Sequence, residues 1–558
     1  MPRYLITSAL PYVNGVKHLG NLVGSMLPAD VYARYLRLVG EEVVFICATD
    51  EHGTPAEVAA DAAGLPVAEF CAQNWAIQKQ IGEAFGLSWN YFGRSSSPQN
   101  HRLTQHFADR LEQLGYLEER VTQQIYSIAD GRFLPDRYVE GTCPHCGYER
   151  ARGDQCENCT RLLDPTELIN PRSSISGSEE LELRETKHLF LLQSKLAERV
   201  RAWIDTKESW PLLTRSIAYK WLDEGLDDRS ITRDLSWGVP VNRPGFEGKV
   251  FYVWFDAPIE YLGATEEWSD ATPGTDWKSW WYDADDVIYT QYMAKDNVPF
   301  HTVFFPCTLL GSGEPWKMPD FIKSFNWLTY YGGKFSTSQA RGVFMDAALD
   351  ILPADYWRYH LMSNAPESDD ASFTWESLAI SVNKELADSF GNFVNRSLSF
   401  VAKRTENTIP AGDDDAIRAS DFVADVTARV AEYRMLLQTH EYRKAVNALR
   451  GLWSAGNVFW EQQQPWKMEK GSVELDTTMR TAVHYVRLLT VLSSPFIPAT
   501  ADTILERFNT SVAAARWPVD VAAEMTCLPA GAPLEPPPVL FRKIEAEDLE
   551  AWSARFGT

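Results

Sequence analysis

Short apolar runs rich in β-branched and aromatic residues fill the first part of the chain, each followed by a stretch whose apolar positions recur three and four apart. Arg3-Tyr4-Leu5-Ile6-Thr7 reads as a strand, Ala9 to Asn21 as the turn after it, and Leu22 to Leu38 as an amphipathic helix. Val43-Val44-Phe45-Ile46-Cys47 reads as a second buried strand, with Ala56 to Ala63 as its helix. Strand, helix and strand in this order specify a parallel sheet. Val250-Phe251-Tyr252-Val253-Trp254-Phe255 predicts an aromatic strand running into a helix, and Val287 to Thr290 a further buried strand. Leu191 to Ile204 predicts a charged helix. Beyond Asn364 strand signals vanish. Amphipathic segments Leu378 to Arg404, Ala416 to Thr439, Tyr442 to Gln463, Thr477 to Leu492 and Thr500 to Phe508 predict a helix bundle. Pro533 to Pro538 reads as an extended linker before a last packed segment, Leu540 to Arg555.

Composition bounds this picture. At 558 residues, 45% hydrophobic and with 20 Trp and 22 Tyr, the chain exceeds one core, and length allows roughly three or four domains. The expected division is a half-sheet domain at 1–116, a connecting insertion at 117–235, the second half-sheet at 236–325, a linking region at 326–365, the bundle at 366–530 and a tail at 531–558. A formal charge of −23 argues against a general nucleic-acid coat, because phosphate affinity comes from clustered Lys and Arg, but leaves room for a local basic path. No export signal opens the chain, and no apolar run reaches about eighteen residues, so a cytoplasmic protein without a membrane span is expected.

Four stretches carry candidate chemistry. In the opening turn Gly15 and Gly20 let backbone approach a ligand. His18 and Asn21, three apart, share a face if both lie in the first helical turn, and can then donate to one phosphate. A glycine loop with a surface His and an Asn cap is the plainer reading of that turn. Asp50, at the same sheet edge, either holds an ammonium or caps the next segment. Cys143-Pro144-His145-Cys146 and Cys156-Glu157-Asn158-Cys159, nine residues apart, match two knuckles giving four thiolates to a structural Zn2+ ion. A disulfide or redox site is the weaker alternative. His145 is read as a spectator, and Cys47, Cys71, Cys307 and Cys527 as reduced thiols. Trp254, Pro258 and Tyr261 are either core or the wall of an apolar pocket. Gly332-Gly333-Lys334-Phe335-Ser336-Thr337-Ser338 is either a phosphate clamp or a solvated turn.

The order of these pieces resembles that of the class I aminoacyl-tRNA synthetases, and among them the methionyl-tRNA synthetase family, over nearly the whole chain. His18-Leu19-Gly20-Asn21 resembles the first signature, His-Ile-Gly-His, and Lys334-Phe335-Ser336-Thr337-Ser338 the second, Lys-Met-Ser-Lys-Ser. The resemblance implies an α/β fold: a Rossmann-like parallel-sheet catalytic domain split by the zinc-knuckle insertion, then a helical anticodon-binding bundle. It implies activation of methionine by ATP with Mg2+, then transfer to methionine tRNA. His18, Asn21 and Lys334 would be catalytic, with Ser336 and Ser338 also on ATP. Leu10, Tyr12, Trp254, Ala257, Pro258, Tyr261 and His301 would form the side-chain pocket, and Asp50 would bind the ammonium. Asn395, Asn457, Pro465 and Trp466 would read the anticodon, a splayed base stacking on the indole.

The chain departs from that pattern in places. Asn21 replaces a histidine but keeps a donor, Thr337 removes a positive charge for which Arg341 could compensate, Ala294 replaces a glycine, and Asn297 stands where some relatives are apolar. No appended oligonucleotide-binding domain follows the bundle, so a monomer is expected. Sibling synthetases for leucine, isoleucine or valine need a large editing domain, because methylene discrimination yields only about 10- to 200-fold selectivity; the insertion here is largely taken up by the knuckle. A cysteine-specific sibling would place zinc in the amino-acid pocket. A non-catalytic tRNA-binding paralogue with a decayed clamp is the remaining alternative.

Overall fold

The structure is a computed structural model describing residues 2–153, 156, 158, 159, 161, 163–335 and 341–557, the Asp136 side chain apart. Its centre is a five-stranded sheet in the order Phe321–Phe325, Val287–Ala294, Arg3–Ser8, Glu42–Thr49, Tyr91–Arg94. Every pairing is parallel, and Leu5 lies between Tyr289 and Val44. Burial on both faces explains the unbroken apolar runs. Ile6, Phe45 and Cys47 enter one core, while Leu5, Val44 and Ile46, one residue out of phase, enter the other.

The chain leaves the central strand in one direction to build Glu42–Thr49 and Tyr91–Arg94, then returns to add Val287–Ala294 on the other side. That reversal makes a crevice at the carboxyl ends of Arg3–Ser8 and Val287–Ala294, where open α/β sheets bind their ligands. The helix after the opening turn is continuous but not uniform: Leu19–Asn21, a π segment Leu22–Met26, then Leu27–Leu38. Ala294 packs near Gly24 of the π segment, which has no side chain to obstruct it.

Between the half-sheets an antiparallel pair, Leu117–Ser127 with Leu181–Leu191, carries a small three-stranded sheet: Ala151–Arg152, Val139–Thr142, Ile169–Ser173. Glu57, on the helix Thr54–Ala63, ties this insertion to the sheet domain. It accepts from Tyr138 Oη at 2.6 Å and from Ser236 Oγ and the Trp237 N–H, each at 2.9 Å.

Some expected elements differ. The aromatic strand ends at Phe251, and Val253–Asp256 is already helical. The charged helix is Ala197–Asp205, because Leu191 still belongs to the strand Leu181–Leu191. The segment from Ala416 to Thr439 breaks into Asp414–Arg418 and Asp421–Gln438, since Ser420 turns extended and its hydroxyl caps Val423 N–H. Tyr442–Gln463 and Val473–Ser493 pack as expected. The tail returns to the linking region through Ala546–Phe556, where Trp552 meets Trp375 and the Gly557 carbonyl accepts from Tyr330 Oη at 2.6 Å.

Arg358 clamps sheet domain to bundle. Fully enclosed, it donates to Asp30 at 2.6 Å and to the carbonyls of Phe85, Pro495 and Phe496. Burial pushes the Asp30 carboxyl up, but Arg34, Arg358 and Ser88 outweigh it and hold the group at about 2. Removing one partner of such a pair strands charge and carbonyls without water. Arg358→Ala should therefore cost about 3–5 kcal/mol in urea unfolding, and an unchanged midpoint would show that the clamp is dispensable.

Candidate active site

The opening turn is held by its neighbours rather than by itself. Past the end of the central strand, Asp50 N–H donates to Pro11 O and Val13 N–H to Asp50 O, both at 2.9 Å, so Tyr12 and Asp50 form a parallel bridge. Gln78 Nε2 donates to the carbonyls of Tyr12 and Gly15 at 2.9 Å each. Gly15 has φ of 135°, a conformation that disfavours side chains.

These constraints open a cavity of about 290 Å³ at the switch point. Leu10, Tyr12, Asp50, Trp254, Ala257, Pro258, Tyr261 and His301 line it together with His18 and Asn21. Trp254, Ala257, Pro258 and Tyr261 are spaced 3, 1 and 3 residues apart. Because the backbone there is helical from Val253 rather than extended, that spacing puts them on one face. Trp254 stacks on Phe300 with centroids 3.7 Å apart, and Tyr12 meets it edge-on at 6.4 Å. Tyr261 Oη lies 2.9 Å from His301 Nε2, while His301 Nδ1 lies 2.9 Å from the Asn297 carbonyl. The carbonyl requires a proton on Nδ1, so Nε2 accepts from the tyrosine. Burial lowers His301 to about 4 and keeps it neutral.

Asp50 is enclosed, and its Oδ1 has no hydrogen-bond partner among the described residues. Burial, reinforced by the nearby Asp256, pushes its carboxyl well above the usual range. An ammonium entering the cavity would supply the missing partner and return the charge. His52 turns away from the cavity to Asp256, 2.5 Å distant.

His18 and Asn21 form a reciprocal capping box: Asn21 N–H donates to His18 Nδ1 at 3.3 Å, and His18 N–H to Asn21 Oδ1 at 3.2 Å. The cap is His18, with Asn21 three residues on as its reciprocal partner, and the box leaves chemistry to spare. With Nδ1 accepting, the neutral imidazole carries its proton on Nε2, and the Asn21 amide keeps its NH2, so both still offer donors. Burial and then Lys17 lower His18 to about 4. The His18 ring stacks on Phe335 at 4.8 Å. Gly342, at φ of 102°, permits this: a Cβ there would run into the Phe335 ring.

Lys334 does not line the cavity. It is exposed on the short strand Gly333–Lys334, its ammonium 4.9 Å from the Trp327 ring. Lys295 approaches the same indole at 4.4 Å and pairs with Asp370 at 2.7 Å. Ser336, Thr337 and Ser338 lie outside the described residues. Arg341 rests against Gly333 and donates to Tyr330 O at 3.2 Å.

In the insertion, Cys143, Cys146, Cys156 and Cys159 bring their sulfurs within 4.8 Å of one another. The Cys143–Cys159 separation is 3.9 Å and the Cys146–Cys156 separation 3.6 Å. Thiolates on a tetrahedral ion at about 2.3 Å would be about 3.8 Å apart, so the cluster is shaped to hold a metal ion. None of the four lines the cavity.

In the bundle, Trp466 is 40% exposed on the turn Pro465–Lys467, with the Arg396 guanidinium 5.9 Å from its ring. Asn395, beside Arg396, is exposed. Pro465 is buried, and the Asn457 amide donates to the carbonyls of Ser389 and Trp453, joining two helices. Sequence reasoning overlooked Lys17, Asn14 and Asp296 in the cavity and Arg396 at the tryptophan. Only Lys17 had left a signal, the lone charge in an otherwise uncharged turn from Ala9 to Asn21.

Two family descriptions match this chain: "tRNA synthetases class I (M)" over residues 4–398 and "Anticodon binding domain of methionyl tRNA ligase" over 409–558. The fold and the switch-point cavity are those of a class I aminoacyl-tRNA synthetase. Within that class the chain belongs to the methionine family. A methionine–tRNA ligase of Streptomyces avermitilis is 61% identical over all of this chain and 99% of its own, and one of a Caulobacter species is 59% identical over all of both. The solved Mycobacterium tuberculosis methionyl-tRNA synthetase in complex with methionyl-adenylate superposes with a TM-score of 0.77 at 26% identity, over 97% of this chain and all of that one.

Proposed function

We propose that the chain is a methionine–tRNA ligase in which the switch-point cavity holds methionine and ATP side by side. The observation that carries this is the division of one cavity into a neutral aromatic wall with a buried, unpaired acid and a capping box with spare donors. A thioether is apolar and polarizable, so Leu10, Tyr12, Trp254, Ala257, Pro258 and Tyr261 suit it, and the Tyr261–His301 bond pairs two of the polar tips without adding charge. Asp50 takes the ammonium.

With methionine so placed, its carboxylate attacks the α-phosphate of ATP, supplied with Mg2+, and pyrophosphate leaves. Such a transfer needs positioning and charge stabilisation rather than a protein nucleophile. His18 Nε2–H and the Asn21 amide donate to the phosphates, and Lys334, with Ser336 and Ser338, neutralises the departing pyrophosphate. The 3′-terminal ribose of methionine tRNA then takes the methionyl group, and AMP leaves.

The four cysteines hold Zn2+ in a closed thiolate site that braces the insertion. Trp466 offers a stacking face to an anticodon base, Arg396 and Asn395 offer donors beside it, and Asn457 and Pro465 fix that platform. The enzyme is read as a monomer of the cytoplasm. Among the described residues no cysteine is in a disulfide, and no helix is long and apolar enough to cross a membrane.

Radiolabelled pyrophosphate should exchange into ATP only with methionine, and Lys334→Ala should slow that exchange by about 100-fold at unchanged methionine affinity. Exchange with another amino acid would sink the specificity, and none at all would favour a non-catalytic paralogue. Cys156→Ser should abolish a stoichiometric zinc content measured by metal analysis; full metal retention would refute the knuckle. Trp466→Ala should leave exchange intact while weakening aminoacylation by about 10-fold, and unaltered charging kinetics would remove the indole from tRNA reading.

A further inference from the structure

Lys17 is a cation enclosed within the reaction cavity. It is 7% exposed and lines the cavity with Asp50 and His18. It also lines a second, smaller cavity with the apolar Met26, Ile81, Phe92 and Met345, so it stands between an apolar space and the polar one. Its one hydrogen bond is to a neutral group, Asn14 Oδ1 at 2.8 Å, and among the described residues it forms no ion pair. The backbone at Lys17 is held too, its carbonyl accepting from Met345 N–H at 2.8 Å. A lysine kept out of water with no anion bonded to it is costly unless a ligand brings one.

The position along the turn says which anion. Tyr12 bridges to Asp50, where the ammonium goes; His18 and Asn21 mark the phosphate end; along the turn Lys17 follows the first and adjoins the second, and its charge is felt at both Asp50 and His18. In an amino acid about to attack an α-phosphate, the group that lies between its ammonium and that phosphate is its own carboxylate. We infer that Lys17 Nζ binds the carboxylate of the amino-acid substrate, so that Asp50 and Lys17 together grip the zwitterion by its two opposite charges. Burial lowers the Lys17 ammonium to about 7, opposed by Asp50, so a bound carboxylate would restore the charge that burial weakens. This inference rests on the assignment of the cavity to methionine. The contact exists before the chemistry and fades as carboxylate charge passes to pyrophosphate, so it acts mainly on binding rather than on turnover.

The test is equilibrium binding of methionine and of methioninol, which keeps the ammonium and thioether but lacks the carboxylate. Both are titrated by intrinsic fluorescence against wild-type protein and Lys17→Met. The substitution should weaken methionine by about 10- to 100-fold and leave methioninol unchanged, with KM for methionine rising in pyrophosphate exchange while kcat changes far less. Equal loss for both ligands would overturn the inference, because it would mean a damaged pocket. Unchanged methionine affinity would also overturn it, and joined to a fall in kcat would move Lys17 to the phosphate. If wild-type protein neither binds nor activates methionine, the parent assignment falls, and this one falls with it.

Discussion

Two backbone hydrogen bonds between the opening turn and Asp50 set the site. By carrying a parallel ladder beyond the ends of the strands, the pairs Asp50 N–H with Pro11 O and Val13 N–H with Asp50 O fix where the Asp50 carboxylate lies relative to Leu10 and Tyr12. An acid held there cannot escape to water, and its raised proton affinity is the cost of that placement. A second set of pairings holds the far end of the turn: Met345 N–H donates to Lys17 O, Leu19 N–H to Val343 O, and His18 bridges to Phe344. The cavity edge thus follows from two registers, one at each end of the turn.

Within a continuous apolar core, a few polar and aromatic contacts join the other modules to that edge. Phe335 lays its ring on His18, so the strand bearing Lys334 is coupled to the capping box. Glu57, one helix beyond Asp50, accepts from the metal-cluster insertion and from the segment before the aromatic wall. Arg358 fastens the bundle to the helix that follows the box. Each contact is buried or stacked, and each spans modules far apart in sequence.

The sheet, the bundle and the cysteine cluster were legible because each depends on local periodicity or spacing. Apolar runs buried on two faces, amphipathic stripes and paired Cys-x-x-Cys motifs leave the same mark wherever they occur. The misreadings share a cause. Val250 to Phe255 has strand composition, yet the chain turns helical at Val253 because Tyr252 pairs away to Ile231 and the following side chains pack as a helical face. Tertiary packing outweighed β-propensity there. The break at Ser420 was visible as a cap residue but was hidden inside a continuous amphipathic pattern.

By itself the sequence determined the family and which residues are candidates for its chemistry, since resemblance to the two synthetase signatures depends on identity and order alone. What only the tertiary structure decided is how those residues are spent. It showed that His18 and Asn21 cap each other and still have donors left, that Tyr261 donates to a neutral His301, and that Lys17 is trapped beside Asp50 rather than solvated. Burial and hydrogen-bond partners are set by segments hundreds of residues apart, and no local pattern records them.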